Sequence, residues 1–342
     1  MTRRAVIDLR DARPLWALPD WALAEIRAAF PPEWETVAVD AHSDGRGDGG
    51  GPSPEALAAV PGAEVYMGYG IPPELFRAAG DGLRWVHSGA AGVGGALYPE
   101  MRDSRVVLTN SAGMHAEPIA DTVLAMALHF ARGLDFAVRA QAERRWDKAS
   151  FEAADAPVRE TGELAVGILG LGGIGRAVAR RFAALGARVL ATRRGEGDAP
   201  EGVELVRGDG ALGRLLEASD VLVVAVPDTP ETRGMLGRAE LERLPRGAVL
   251  VNVARGRVLD EDALVEALRE GRLRGAALDV FAREPLPAES PLWGLSNVLV
   301  TPHVSGTSHR YWRRETGLVV ENVRRYLAGE PLLNTVDKHA GY

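Results

Sequence analysis

The sequence predicts an α/β protein made of two parallel sheets, each flanked by helices, on three observations. Short apolar runs alternate with helix-like segments along most of the chain, the rhythm of repeated βαβ units. Near the middle, one such run leads directly into a glycine-rich turn and then into a helix. The 342 residues exceed one ordinary core, and a prior of one domain per about 150 residues divides the chain in two.

In order, strands are expected at 5–9, 36–39, 64–67, 83–87 and 106–109, with helices around 20–29, 54–60 and 73–79. Between them HSDGRGDGGGPSP (42–54) reads as a mobile surface loop. A long apolar helix follows in AEPIADTVLAMALHFARG (116–133), with Pro118 in its first turn, where a missing N–H costs nothing. Ile119, Val123, Met126 and Phe130 share one face and Leu124 and Leu128 lie on another. Such a helix is expected to be buried between domains or between subunits, which suggests a homodimer.

From 164 a second series begins: LAVGIL, RVLAT, VLVVAV, AVLVNV, AALDV and NVLV as strands. DEDALVEALREGRL lies between the last of them as an amphipathic helix whose leading acids suit its dipole. Past 305 the chain turns helical in RYWRRETGLVVENVRRYLAG and is expected to pack back on the first domain.

Composition excludes several classes. The chain is 46% hydrophobic and 25% charged, and no apolar run approaches the roughly 20 residues of a membrane span. MTRRAVIDLR is not followed by an apolar segment of the secretory kind, so a cytoplasmic location is expected. With no cysteine there is no disulfide framework, thiolate nucleophile or cysteine zinc site. Redox chemistry would have to come from a bound cofactor, and no metal is expected. A net charge of −7 argues against nucleic acid as a partner. Lys148 and Lys338 are the only lysines, so a Schiff-base mechanism would have little to use.

The strand LAVGIL runs into GLGGIG, 170–175, and then into RAVARRFAALG. Gly170, Gly172 and Gly175 fit G-x-G-x-x-G in the strand–turn–helix setting that a dinucleotide needs. The pyrophosphate would rest on the helix N-terminus. About 20 residues on, an acidic side chain ordinarily accepts the ribose 2′-hydroxyl of NAD. Here ATRRG places Arg193 and Arg194 instead. An arginine cannot accept that hydrogen bond, but it can hold a 2′-phosphate in a charge-assisted fork. At about 1.5–3 kcal/mol per such bond, a preference of tens- to thousands-fold for NADP over NAD follows, with NAD still possible. The alternative is two solvated arginines in an arginine-rich chain.

Arg255 follows AVLVNVA, Glu284 follows AALDVFAR and His303 follows NVLVTP. All three stand near the C-terminal ends of predicted strands, where open α/β sheets bind ligands. Together with GLGGIG and VPDTPETRGML, the stretches VNVARGRVLDEDALVEAL, GAALDVFAREPLP and NVLVTPHVSG resemble the D-isomer-specific 2-hydroxyacid dehydrogenases, with Arg, Glu and His in family order, over about 85–330.

The resemblance implies a Rossmann-type dinucleotide-binding domain, 112–306, inserted into a flavodoxin-like α/β substrate domain made of 1–111 and 307–342. The two crossings would form a hinge that lets the domains close over substrate. It implies hydride transfer from NAD(P)H, NADPH preferred, to a small 2-oxo acid such as glyoxylate or hydroxypyruvate, giving a D-2-hydroxy acid. His303 would donate the proton to the carbonyl oxygen, Glu284 would keep His303 protonated and oriented, and Arg255 would grip the substrate carboxylate and polarise the carbonyl. The backbone of Val253, Ala254 and Arg255 would line the nicotinamide. Gly173 and Ile174 would meet the pyrophosphate, Pro227 the adenosine, and Gly306 the cofactor site. Asp279 resembles the aspartate that accepts from the nicotinamide carboxamide, though it could equally cap a turn. SGAAGVG (88–94) matches a loop whose Ala90 and Ala91 amides would hold the substrate carboxylate, or it is only a connecting turn; Gly94 replaces an acidic residue there, and Asp121 stands where the family often has glutamate. Trp146 and Trp312 are candidates for the pocket wall, or else core or interface residues. The same fold also serves dinucleotide-sensing corepressors and dehydrogenases of formate or phosphite, which are the competing functions.

Overall fold

Five short strands open the chain, separated by helices as the alternation requires. They are β1 (Arg3–Asp8), β2 (Trp34–Ala38), β3 (Val65–Gly68), β4 (Trp85–Ser88) and β5 (Val107–Asn110). Between them lie α1 (Asp20–Ala29), α2 (Pro54–Ala59), α3 (Pro73–Ala79) and α4 (Pro99–Asp103). The strands pair in parallel in the order β2-β1-β3-β4-β5, the flavodoxin-type arrangement. This is a computed structural model, and it describes residues 3–42 and 51–341. Most of the glycine-rich stretch read as a surface loop, 43–50, lies outside the described residues.

The chain forms two units, Met1–His115 with Ser308–Tyr342, and Ala116–Thr307. The first is therefore built from both ends of the chain. Its last helix, α12 (Tyr311–Ala328), buries Tyr311, Trp312, Val319 and Val323 in one core with Ile7, Leu9, Ile26 and Trp85.

The second unit begins with α5 (Ala116–Ala131), α6 (Leu134–Ala142) and α7 (Ala149–Glu152). Then follow β6 (Ala165–Leu169), α8 (Gly173–Ala184), β7 (Arg188–Thr192), β8 (Val203–Leu205), α9 (Ala211–Glu217), β9 (Val221–Val224), α10 (Arg238–Arg243), β10 (Ala248–Asn252), α11 (Glu261–Arg269), β11 (Leu273–Leu278) and β12 (Val298–Val300). All seven strands are parallel, in the order β12-β11-β10-β9-β6-β7-β8. Counted within the unit this is the Rossmann order with one strand added beyond the sixth. β9 and β10 are buried at every position, which explains their unbroken apolar runs: helices cover both faces.

One expectation needs correction. The sheet has seven strands where six were expected, because β8 is an edge strand of three residues that is nowhere fully buried. Helix α5 seats one face on its own sheet and leaves Leu124 and Leu128 half-buried. Ile119, Val123, Met126 and Phe130 pack with Ile168, Val178, Phe182, Val223 and Val251, and Leu124 packs against the same cluster. Each such side chain contributes about 1.5–3 kcal/mol on burial, enough to seat the helix on its own sheet. The exposed apolar residues of this region come later, at Leu134 and Val138 of α6 and at Trp146.

Candidate active site

The chain leaves β6 towards β7 on one side and leaves β9 towards β10 on the other, so a crevice opens beyond these strand ends. The glycine loop lies at its lip. Gly170 has φ +102, and a Cβ there would stand 2.7 Å from the Ala225 carbonyl oxygen. A side chain at Gly175 would collide with the Gly170 carbonyl, whereas a Cβ on Gly172 would meet nothing within 4 Å. The turn, the open approach and the close helix–strand contact are the three properties the motif serves. Helix α8 starts at Gly173 and Ile174 with Gly172 as N-cap and no capping side chain, which leaves first-turn amides for an anion.

At the end of β7 stand Arg193 and Arg194. Arg193 is half-buried, its Nε has no hydrogen-bond partner among the described residues, and its guanidinium lies against Gly197, where a Cβ would come within 2.5 Å of Nη1. Arg194 is exposed, with Nη2 3.7 Å from Glu231 Oε2. Pro227 follows β9 and its carbonyl accepts the Thr232 hydroxyl at 2.6 Å. Val253 and Ala254, both buried, continue β10, and the Ala254 amide donates to Asn252 Oδ1 at 3.1 Å. An open cradle over a helix N-terminus and an orphaned guanidinium nitrogen at the next strand end together fit a dinucleotide with its adenosine end towards β7.

Arg255, Glu284 and His303 come from the three segments that follow β10, β11 and β12. His303 Nδ1 lies 2.7 Å from Glu284 Oε2, and Glu284 Oε1 accepts the Phe281 amide at 3.0 Å. With Nδ1 engaged, Nε2 is the ring atom that can exchange a proton. The hydrogen bond to Glu284 is the largest influence on His303 and raises it above the ordinary imidazole value, against burial and the Arg255 charge. Burial alone would raise Glu284, but the His303 hydrogen bond, the Phe281 amide and the nearby cations outweigh it and hold it below the usual carboxylate range.

Asp279 is fully buried at the end of β11 and faces the same segment. Its Oδ1 accepts the Thr301 hydroxyl at 2.6 Å and the Val304 amide at 2.9 Å, and Oδ2 accepts the Ser305 amide at 3.0 Å. Ser305 leads directly into Gly306. The sequence reading missed this grip, and it missed Gly256. A side chain at 256 would overlap the backbone of Phe281 and Ala282, so the turn carrying Arg255 packs directly on the segment that leads to Glu284. The available signal was a glycine directly after the arginine at the end of a wholly apolar strand.

In the first unit, Ala90's amide donates to Ser88 Oγ at 3.3 Å, and Ala91's amide makes no hydrogen bond among the described residues. Trp312 is a core residue at 5% exposed. Trp146, by contrast, is 91% exposed and stands clear of its own unit. Asp121 Oδ1 takes Arg181 Nε at 2.8 Å, tying α5 to α8.

A dinucleotide cradle beside an acid–base histidine paired with a carboxylate defines a nicotinamide-dependent dehydrogenase. The model of the NAD-binding domain of the D-isomer specific 2-hydroxyacid dehydrogenases matches residues 124–305, and the chain belongs to that family. The glyoxylate reductase of Korarchaeum cryptofilum is 37% identical over 271 residues, 78% of this chain and 80% of that one. A D-isomer specific 2-hydroxyacid dehydrogenase from Xanthobacter autotrophicus, solved with NADPH and MES, is 35% identical with a TM-score of 0.80 and covers 100% of this chain and 99% of its own. The NADPH-dependent glyoxylate/hydroxypyruvate reductase of Sinorhizobium meliloti, solved with NADP and sulfate, is 30% identical with a TM-score of 0.79, covering 99% of this chain and all of its own. The protein is an oxidoreductase, an NAD(P)H-dependent 2-hydroxyacid dehydrogenase, which sets aside the corepressor reading.

Proposed function

We propose that the protein reduces a small 2-oxo acid of the glyoxylate or hydroxypyruvate class to the D-2-hydroxy acid, with NADPH as the preferred donor. The observation that carries the reading is the 2.7 Å contact between His303 and Glu284. It favours the charged form of the imidazole and leaves Nε2 to protonate the carbonyl oxygen. NADPH, when bound, supplies the hydride to the carbonyl carbon. Arg255 is assigned the substrate carboxylate and the polarisation of the carbonyl, as its planar fork suits. In the reverse direction His303 is the base.

The cofactor would be held by Gly170, Gly172, Gly173, Ile174 and Gly175 at the pyrophosphate, and by Arg193 and Arg194 at the 2′-phosphate. Pro227, Val253, Ala254, Asp279 and Gly306 would line the rest. Relatives named glyoxylate reductase and neighbours solved with NADPH support the substrate class and the cofactor. We assign the enzyme to the cytoplasm as a homodimer. Leu134, Val138 and Trp146 are the exposed apolar residues that a second copy could cover, and a monomer by light scattering at micromolar concentration would remove the dimer.

The test is absorbance at 340 nm with glyoxylate, hydroxypyruvate and pyruvate, each with NADPH and with NADH. Faster oxidation of NADPH than NADH with the first two acids is expected. A preference for NADH would discard the phosphate clamp and keep the enzyme, and no turnover with any pair would refute the substrate class.

A further inference from the structure

Within the first unit a cavity of about 570 Å³ opens between α3 and α4, a volume in the range of small-molecule sites. Its lining includes Leu83 and Arg84, which lead into β4, and Ser104, Arg105 and Val106, which lead into β5. The cavity therefore lies at the N-terminal ends of these strands, whereas open α/β sheets bind their ligands outside the carboxyl ends. No residue assigned above to substrate or cofactor lines it.

Its charge runs against that of the chain. Three arginines, Arg77, Arg84 and Arg105, are met by two acids, Asp81 and Glu100, in a protein of net charge −7. Arg77 is neutralised, because its Nη2 lies 2.6 Å from Glu100 Oε1. Arg84 places Nη1 on the Asp81 and Leu83 carbonyls, at 2.7 and 3.2 Å, and its other nitrogens bond nothing among the described residues. Arg105 makes no hydrogen bond or ion pair at all among them.

The backbone at Arg105 is turned to the same purpose. On one side of the chain Lys338 Nζ donates to the Ser104 carbonyl at 2.7 Å and to the Val106 carbonyl at 3.1 Å. A trans peptide sets its N–H opposite its carbonyl, so the Arg105 amide points away from Lys338. That amide meets no acceptor among the described residues. Arg105 lines the cavity and Lys338 does not. An open main-chain N–H beside two uncommitted guanidinium groups suits an anion. The remaining wall is apolar: Leu83 and Val106 are buried, and the half-buried Phe76 stands edge-on to Tyr98 with ring centroids 5.9 Å apart.

We propose that this cavity binds a small organic anion, a carboxylate or phosphate head on an apolar body. Arg84, Arg105 and the Arg105 amide take the head, and Phe76, Leu83 and Val106 take the body.

The test is isothermal titration calorimetry on the full chain with phenylacetate and phenyl phosphate, against phenylacetamide as the neutral counterpart and inorganic phosphate as the bare head. At least one of the two organic anions should bind with a Kd of about 1 mM or lower, and the tighter one names the head. Phenylacetamide and inorganic phosphate should bind at least about tenfold more weakly. Arg105→Ala should weaken the organic anion about tenfold, and Arg105→Lys, which keeps the charge without the planar fork, should recover part of the loss. Arg105 has no partner to lose, so the melting temperature of both variants should match that of the unmodified protein. Phe76→Ala should weaken the organic anion and leave inorganic phosphate unchanged. Equal affinity for phenylacetamide, inorganic phosphate as tight as phenyl phosphate, anion binding untouched by Arg105→Ala, or no binding of either organic anion would each overturn the proposal. Binding is read without turnover, so the result does not depend on the substrate class proposed above.

Discussion

Asp279 grips the chain on both sides of His303. The histidine has φ 54, a left-handed conformation that non-glycine residues adopt only when their surroundings impose it. Here the Thr301 hydroxyl and the Val304 and Ser305 amides converge on one buried carboxylate. The imidazole is aimed by its neighbours' hydrogen bonds as well as by Glu284. Asp279→Asn would set an NH2 against two donors or against one, whichever way it turned. We expect kcat to fall at least about 100-fold and stability to drop by about 1–3 kcal/mol, measured by steady-state kinetics and urea unfolding. A variant with unchanged kcat would show that His303 keeps its place without this anchor.

The proposed role of His303 as proton donor requires its protonated form, so kcat/KM for the 2-oxo acid should hold at low pH and fall as pH rises through the raised value of His303. Oxidation should show the mirror limb. Glu284→Gln removes the largest raising influence, and the limb should move to lower pH. A limb that stays in place would remove Glu284 from this role. The same shift adds stability that is present below about pH 6.5 and is lost as pH rises through the folded value, but the imidazole side chain is 48% exposed and solvent keeps that contribution small.

Arg193→Asp should shift the cofactor preference towards NADH. The side chain's Nε bonds nothing among the described residues, so no hydrogen bond at that nitrogen is sacrificed. The ratio of kcat/KM with NADPH to that with NADH should fall at least about tenfold, the equivalent of about 1.4 kcal/mol. An unaltered ratio would mean that the arginine is ordinary surface charge.

Gly256→Ala should be among the most damaging single methyl additions in the second unit. The new carbon would overlap the backbone of Phe281 and Ala282, so relief requires main-chain movement between Arg255 and the segment before Glu284. We expect a loss of about 1–3 kcal/mol or more and a kcat/KM reduced beyond what the folded fraction explains. Wild-type melting and kinetics would show that the two segments can separate freely.

The strands of both sheets were legible because each is a short apolar run, and the glycine loop was legible because its strand and helix adjoin it in sequence. Arg255, Glu284 and His303 could be found singly from their places after strands, and together from their order. β8 escaped because three residues at a sheet edge carry no periodicity. Asp279 was seen, but its grip on Thr301, Val304 and Ser305 was not, since hydrogen bonds between loops leave no mark on local pattern. His87 and Glu315 are the extreme case: their buried side chains meet at 2.8 Å from 228 positions apart, and Glu315 stands in the charged run RRE, which reads as a solvated face. Trp312 and Trp146 lie at opposite extremes of burial, a difference the sequence could not give, because size alone does not distinguish a core aromatic from a bare one.

The interval between His87 and Glu315 also has a meaning in time. A chain made from its N-terminus at about 5–20 residues per second leaves the histidine without its carboxylate for roughly 10–45 s across those 228 positions. In that window the whole of Ala116–Thr307 emerges and can fold, while β1 to β5 wait for α12 to close their core. The unit that is begun first is thus completed last, and the nascent chain carries an open sheet throughout.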